Sequence, residues 1–239
     1  MKKHIYFLLS VIAVMALFTS CTDEPVSTTT VTDIDGNVYH TVTIGTQTWM
    51  VENLKTTRLN DGTAIPNVMD NTEWTVLITP GYCWYDNDPT TYENTFGALY
   101  NGYAVSTGKL APTGWHVATN AEWTTLQNYV STNLGTSTSL AKALAATSYW
   151  SASTAGGAIG NDLTINNSTG FTAFSGGYRM SVDGSYNDIL ISGNWWCSTF
   201  DEFSGGSNLY FSYLLNSNNN VVNSTSSISD GYSVRCVKD

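Results

Sequence analysis

Residues 110–130 read LAPTGWHVATNAEWTTLQNYV, and this stretch decides the fold prediction. Residues 112–114 (Pro-Thr-Gly) have the composition of a turn, and residues 115–117 (Trp-His-Val) form a short extended segment. Thr119 stands three residues before Glu122, which is the spacing of a capping box. In that motif the hydroxyl and the carboxylate each accept a hydrogen bond from the other residue's backbone amide. The stretch therefore predicts a turn, a strand and the capped start of a helix.

The helix that follows has one apolar face. Trp123, Leu126 and Val130 recur at steps of three and four residues, which places them together on a helix. Leu140 to Ala146 (LAKALAA) is rich in strong helix formers and predicts a short second helix. We therefore expect two helices in this part of the chain.

The N-terminal part of the domain has the pattern of β-hairpins. Val31 to Val38 contains Asp35-Gly36, a pair that favours a hairpin turn. Tyr39 to Ile44 alternates and is rich in β-branched residues, and Gln47 to Val51 is its predicted partner strand. From Tyr149 onward, short apolar pieces alternate with Gly, Asn and Ser, which predicts several short strands and long loops.

Five blocks of the sequence carry a family resemblance, and they occur in order. They are residues 41–63 (TVTIGTQTWMVENLKTTRLNDGT), 82–105 (YCWYDND with GALYNGYAV), 113–126 (TGWHVATNAEWTTL), 194–199 (NWWCST) and 231–239 (GYSVRCVKD). Together they resemble the Fibrobacter succinogenes major paralogous domain, which occurs in surface and secreted bacterial proteins. The resemblance covers about residues 38–239 and implies no settled activity.

The resemblance also implies an architecture. The order of elements is similar to the C-type-lectin-like fold, which formylglycine-generating enzymes share in elaborated form. HVATNAEW and SVRCV resemble segments of those enzymes. We therefore expect an α+β fold with short twisted antiparallel strands, two helices and long loops. Pairing of the N- and C-terminal strands, as in such folds, would place Val42 beside Val234.

Residues 1–20 have the pattern of an export signal. Lys2 and Lys3 precede an apolar run of fourteen residues, Ile5 to Phe18, which is too short to span a membrane. Ser20-Cys21 ends the segment as in a bacterial lipoprotein, so we expect lipid attachment at Cys21. Residues 21–30 are then a polar tether, and residues 31–239 are one domain. Asp23 and Glu24 resemble a surface-export signal, which favours the outer membrane and exposure at the cell surface.

The charge of the chain excludes some partners. Residues 1–20 hold two of the nine basic residues and no acidic one, so the remainder carries 7 basic against 19 acidic residues, a net charge of −12. Nucleic acids and anionic membrane surfaces are bound by clusters of Lys and Arg. We therefore expect no nucleic-acid partner, and membrane association only through the lipid.

Three cysteines remain after Cys21 is used for lipid attachment, which suggests one disulfide and one odd thiol in an exported protein. The residues by themselves leave three pairings open. Cys83 and Cys236 stand at positions that the family resemblance marks, whereas Cys197 stands where the family more often has Ser. The resemblance therefore favours a disulfide between Cys83 and Cys236.

Two acidic loops are candidate binding sites. Hard oxygen ligands from Asp86, Asn87, Asp88 and Glu93 lie within eight residues and could hold calcium, although a solvated acidic loop is the alternative. No other cofactor is predicted. A second loop combines Asp201 and Glu202 with the aromatic rings of Phe200 and Phe203, and this combination could contact a sugar. Packing of these rings in the core is the alternative.

These patterns favour a non-catalytic module that binds a glycan or a surface protein. The histidines His40 and His116 belong to no metal-binding pair, and no nucleophile-elbow pattern is present, so we do not predict an enzyme. The alternatives are an oxidase related to formylglycine-generating enzymes, whose cysteine pair would be Cys197 and Cys236, and a purely structural component of the envelope.

Overall fold

A computed structural model describes residues 29–133 and 139–239 of the chain. The predicted signal segment, the lipid-attachment residue Cys21 and residues 21–28 of the predicted tether lie outside the described residues. The described residues form five α-helices and thirteen strands, a mixed α+β architecture with mostly strands. In chain order the strands are β1 (Thr30–Thr32), β2 (Val38–Ile44), β3 (Gln47–Met50), β4 (Tyr82–Cys83), β5 (Leu99–Asn101), β6 (Trp115–Val117), β7 (Gly176–Arg179), β8 (Tyr186–Ile189), β9 (Ser192–Phe200), β10 (Asn208–Leu215), β11 (Val222–Ser227), β12 (Gly231–Tyr232) and β13 (Cys236–Lys238).

The first sheet joins both ends of the domain. Its strand order is β1-β2-β3-β13-β6, and every pair in it is antiparallel. The prediction that Val42 lies beside Val234 is wrong. Val42 pairs with Trp49, and Trp49 pairs with Val237. Gly45, at φ 63°, lets the chain turn tightly, so that β3 folds back on β2 and takes the place next to the last strand.

The second sheet has eight strands in the order β11-β10-β9-β7-β12-β5-β4, and β8 pairs with β7. Its pairs are antiparallel except for β7 and β9, which run parallel through Gly177 and Gly193. β9 and β10 form a hairpin and, with nine and eight residues, are the longest strands among the described residues. With β11, this hairpin supports a groove on one face of the sheet.

The helices number five among the described residues, not two. They are α1 (Asn71–Val76), α2 (Pro89–Phe96), α3 (Gly102–Ser106), α4 (Asn120–Asn133) and α5 (Leu140–Leu144). The three unpredicted helices, α1 to α3, have only five to eight residues, too few to show apolar periodicity. Each begins at a polar N-cap whose side chain accepts from the backbone, namely Asp70, Asp88 and Asn101.

The capping box at the start of α4 is confirmed. The Glu122 amide donates to the Thr119 hydroxyl at 3.1 Å, and the Thr119 amide donates to the Glu122 carboxylate at 2.8 Å. Trp123, Leu126 and Val130 are buried on the inner face of the helix, as their spacing predicts.

A buried arginine connects the first sheet to the rest of the domain. The Arg235 guanidinium, which is fully buried, donates to Asn53 Oδ1 at 2.6 Å and to the carbonyls of Met50, Phe171 and Thr172 at 2.8–2.9 Å. Trp195 Nε1 also donates to Asn53 Oδ1, at 2.9 Å. Side chains from distant parts of the sequence therefore meet at one hydrogen-bonded junction.

Candidate ligand-binding groove

A groove of about 420 Å³ lies on one face of the second sheet, across β7, β9, β10 and β11. Its volume falls in the range that holds small ligands. It is lined by Tyr178, Met180, Asp188, Ser192, Asn194, Phe211, Tyr213, Leu215, Ser224, Ser226, Asp230 and Tyr232. The lining therefore combines aromatic rings with hydroxyl, amide and carboxylate groups.

Strand alternation on β10 places the central side chains of the groove. Phe211, Tyr213 and Leu215 line it, whereas Tyr210, which precedes them, and Leu214 point to the opposite face and join a buried cluster. Neighbouring strands continue the same face, because Tyr213 pairs with Asn194 of β9 and Phe211 pairs with Ser224 of β11. The groove is therefore built on a hydrogen-bonded sheet, which is a rigid support.

Four aromatic rings contact one another in the groove. Phe211 and Tyr213 are stacked, with ring centroids 5.5 Å apart and an interplanar angle of 22°. Tyr232 lies 4.8 Å from Phe211, and Tyr178 meets Tyr232 edge to face at 5.9 Å. Phe211 and Tyr232 are buried at 9% and 6% exposure, whereas Tyr178 and Tyr213 are half-buried. The two half-buried tyrosines therefore offer ring surface to a ligand, and the two buried rings support them.

Two carboxylates belong to the groove. Asp230 accepts from the Ser181 amide at 2.8 Å and from the Ser226 hydroxyl at 2.5 Å, and Tyr232 Oη lies 3.0 Å from Ser226 Oγ. Asp188, by contrast, is exposed at the end of β8. Asp230 is therefore held in a fixed orientation, whereas Asp188 faces solvent.

The hydroxyls of Tyr178 and Tyr232 stay protonated at neutral pH. Burial raises the pKa of Tyr178, and the negative charges of Asp188 and Asp230 raise it further. Burial and the charge of Asp230 also raise the pKa of Tyr232. Neutral hydroxyls can both donate and accept hydrogen bonds. With the carboxylate acceptors, they equip the groove for a ligand that carries many hydroxyl groups.

The sequence profile of one known family, described as the Fibrobacter succinogenes major domain, matches residues 42–238. The chain belongs to this family. No curated protein and no solved structure matches the chain. The match confirms the family resemblance of the sequence, and it includes every lining residue of the groove.

The predicted calcium ligands of this Fibrobacter succinogenes major domain have separate partners. Asp88 caps α2 by accepting from the Thr91 amide and hydroxyl at 3.2 and 2.6 Å. Asn87 donates to a backbone carbonyl and accepts from a tyrosine hydroxyl, and Glu93 lies 3.9 Å from a lysine. Asp86 is exposed. In residues 29–133 and 139–239, no three His, Cys, Asp or Glu side chains form a group that could hold a metal ion. Calcium binding at this loop stays a prediction.

The second predicted loop connects β9 to β10 and does not line the groove. Phe203 is 94% exposed and Phe200 is 40% exposed, so these rings are not packed in the core. Asp201 accepts from the Phe203 amide at 3.1 Å, which shapes the turn, and Glu202 is exposed. This loop and the one around Asp86 do not converge. Tyr85, next to Asp86, lies against Gly177, which pairs with Gly193 near the start of β9, and Phe200 ends that strand about 20 Å away.

The cysteines of the domain are not paired as expected. Cys83, Cys197 and Cys236 are buried free thiols, and they belong to three different hydrophobic clusters. The expected Cys83–Cys236 disulfide is therefore not formed. Burial raises the pKa of all three thiols, that of Cys197 to about 12. Because the thiolate is the reactive form, Cys197 and Cys236 lack the environment of an oxidase cysteine pair.

Sequence reasoning missed the groove residues of the family domain. The alternation of Phe211, Tyr213 and Leu215 indicated a strand with an aromatic face, and this signal was available. Nothing in the sequence indicated that Tyr178, Asp188 and Asp230 would lie beside that face. They arrive there through the pairing of β7 with β9, of β8 with β7 and of β12 with β7.

Proposed function

We propose that this protein is a surface-anchored lipoprotein whose domain binds glycans without catalysis. The groove on the second sheet carries the proposal, because its aromatic rings, hydroxyls and carboxylates complement a sugar. A pyranose ring presents an apolar C–H face and a rim of hydroxyl groups. The rings of Tyr213 and Tyr178 fit the apolar face, and Asp188, Asn194 and Ser224 fit the rim.

Binding without catalysis is supported by the groups that surround the groove. No histidine or cysteine lines it in the described part of the chain. The buried thiols that an oxidase would need belong to the core clusters instead. A role as a purely structural envelope component gives no reason for half-buried tyrosines beside an exposed carboxylate.

Anchoring through Cys21 would place the groove close to the cell surface. We propose lipid attachment at Cys21 in the outer membrane, followed by the polar tether at residues 21–30. Ten extended residues span at most about 35 Å. None of the helices in residues 29–133 and 139–239 has the length and apolar character needed to cross a membrane.

We further propose that the fold is C-type-lectin-like. The support is the first sheet, in which a strand from the C-terminal end of the domain, β13, pairs with a hairpin from its start. The long connection between α5 and β7, which contains no strand, also fits such an architecture.

Glycan-array binding by the purified protein tests the proposed function. We expect binding to a subset of glycans and loss of affinity of about tenfold or more in Tyr213→Ala, since central aromatic residues dominate binding energies. Phe203→Ala is the matched control, because it removes an aromatic ring from the exposed hairpin loop outside the groove. Tyr213→Phe separates the contribution of the ring from that of the hydroxyl.

The same samples distinguish the alternatives. Absence of binding across a wide panel of glycans would contradict the proposal and favour a structural role or a protein ligand. Loss of binding in Phe203→Ala with retention in Tyr213→Ala would move the site to the hairpin loop. Release of new reducing ends from a bound glycan would show an enzyme.

A further inference from the structure

The charge of the groove is one-sided. Its twelve lining residues include two carboxylates, Asp188 and Asp230, but no Lys, Arg or His within the described chain. None of the six ion pairs formed by the described residues involves either carboxylate. Neither carboxylate of the groove is therefore neutralised by an ion pair with another described residue.

The two carboxylates flank the same aromatic surface. Asp188 lies at the end of β8, which pairs with β7, and Asp230 immediately precedes β12, which pairs with β7 on its other side. Tyr178 lies on β7 between them. Burial is the largest cause that raises the pKa of the Tyr178 hydroxyl, and the negative charges of both carboxylates raise it further. A ligand that stacks on Tyr178 or Tyr213 is thus held beside negative charge and beside the electron-rich faces of aromatic rings.

A cation is the complement of this arrangement. An ammonium group is attracted to a carboxylate and, within about 6 Å of a ring centroid, to the face of a tyrosine. An anionic ligand would meet like charge at Asp188 and Asp230, no described basic residue lines the groove to offset it, and like charges cost binding energy. Neutral sugars would experience neither this attraction nor this repulsion.

Resting on the proposed function, we propose that the groove selects glycans with free amino groups and rejects uronic and sulfated sugars. The ammonium group lies at Asp188, the sugar ring stacks on Tyr178 or Tyr213, and the sugar hydroxyls bond to the polar rim. Asp230 adds negative charge, but its oxygens are already engaged by Ser181 and Ser226.

Calorimetric titration of the full protein with four oligosaccharides of equal length tests this selection. The probes are oligomers of glucosamine, N-acetylglucosamine, glucose and glucuronic acid, compared at mildly acidic pH, where the amine is charged. We expect the glucosamine oligomer to bind about tenfold more tightly than the N-acetylated one, from one solvent-exposed ion pair and a cation–π contact. The glucuronic acid oligomer should not bind.

Asp188→Asn should reduce the ratio of the affinity for the glucosamine oligomer to that for the N-acetylglucosamine oligomer by about threefold or more. Glu202→Gln is the matched control, because it removes the same charge from the exposed hairpin loop outside the groove. An equal effect of the two substitutions would overturn the local role of Asp188.

The failure of this inference is distinguishable from failure of the proposed function. Equal affinity for the amine and N-acetyl oligomers, abolished by Tyr213→Ala, would overturn the charge selection and leave glycan binding in place. Tight binding of the glucuronic acid oligomer would also overturn it. Failure of all four oligomers and of a wide glycan panel to bind would overturn both.

Discussion

Replacement of Arg235 by Met should strongly destabilise the domain. The guanidinium is fully buried and donates to four oxygens, three of which are backbone carbonyls. Burial lowers the pKa of Arg235 to about 9, which is still above neutral pH, so the group carries its charge in the folded protein. Methionine fills much of the same volume but donates no hydrogen bond.

The magnitude follows from the acceptors that lose their donor. A buried acceptor left without a partner costs about 1–3 kcal/mol, although such costs do not add fully. Asn53 Oδ1 keeps its bond from Trp195, so three carbonyls bear the loss. We expect the free energy of unfolding to fall by about 4 kcal/mol, a large share of the 5–15 kcal/mol typical of a domain. Arg235→Lys should lose roughly half as much, because one ammonium group cannot reach all four oxygens.

Urea unfolding followed by tryptophan fluorescence measures this change. Arg58→Met is the matched control, because the Arg58 side chain is 56% exposed and lies 3.3 Å from Asp35 at the surface. The Arg58→Met substitution should lower the free energy of unfolding by less than about 1 kcal/mol. A change below about 1 kcal/mol in Arg235→Met, with an unchanged dependence on urea, would refute the role of Arg235 as the junction of the domain.

Three further predictions concern other parts of the structure. Burial lowers the pKa of His116, but hydrogen bonds to two carboxylates outweigh burial and raise this pKa above 6.5. The stabilisation that His116 contributes is therefore full below pH 6.5 and is lost as pH rises through the pKa of the folded state. Urea unfolding at several pH values should show that the difference in stability between wild type and His116→Gln shrinks with rising pH. Gly97→Ala should lower the free energy of unfolding by about 3 kcal/mol, because φ at Gly97 is +72° and the added Cβ would lie 2.7 Å from a backbone oxygen. Gly36→Ala, where φ is +87° and the space is open, should lower it by about 1 kcal/mol. Thermal unfolding that finds equal losses would contradict the close approach at Gly97. Cys197 and the other two buried cysteines should resist iodoacetamide in the folded protein and should all be alkylated after unfolding without a reductant; peptide mapping that finds two of them linked would contradict the free thiols.

Much of the fold could be predicted from local sequence signals. The capping box of α4 is visible because both partners lie within one helical turn, three residues apart. The hairpin of β2 and β3 is visible for a similar reason, since its strands alternate and its turn contains Gly45. The family resemblance, which the match over residues 42–238 confirms, extended the fold prediction to the rest of the domain.

The errors and the missed contacts lie where distant segments meet. His116 bridges Glu122 and Asp239, but its partners are 6 and 123 residues away, and no spacing rule reports the second. The Cys83–Cys236 disulfide was suggested by family positions, whereas the tertiary structure puts the two thiols in separate clusters. Proximity in space was inferred in that case from a pattern that carries no distances.

The sequence by itself determined the family, the strand hairpins, the capped helix and the acidic character of the chain, because each depends on residues within a few positions or on composition. Only the tertiary structure decided that Tyr178, Tyr213, Asp188 and Asp230 share one groove. Their positions depend on which strands pair across the second sheet, and strand pairing is fixed by long-range packing that no local pattern encodes.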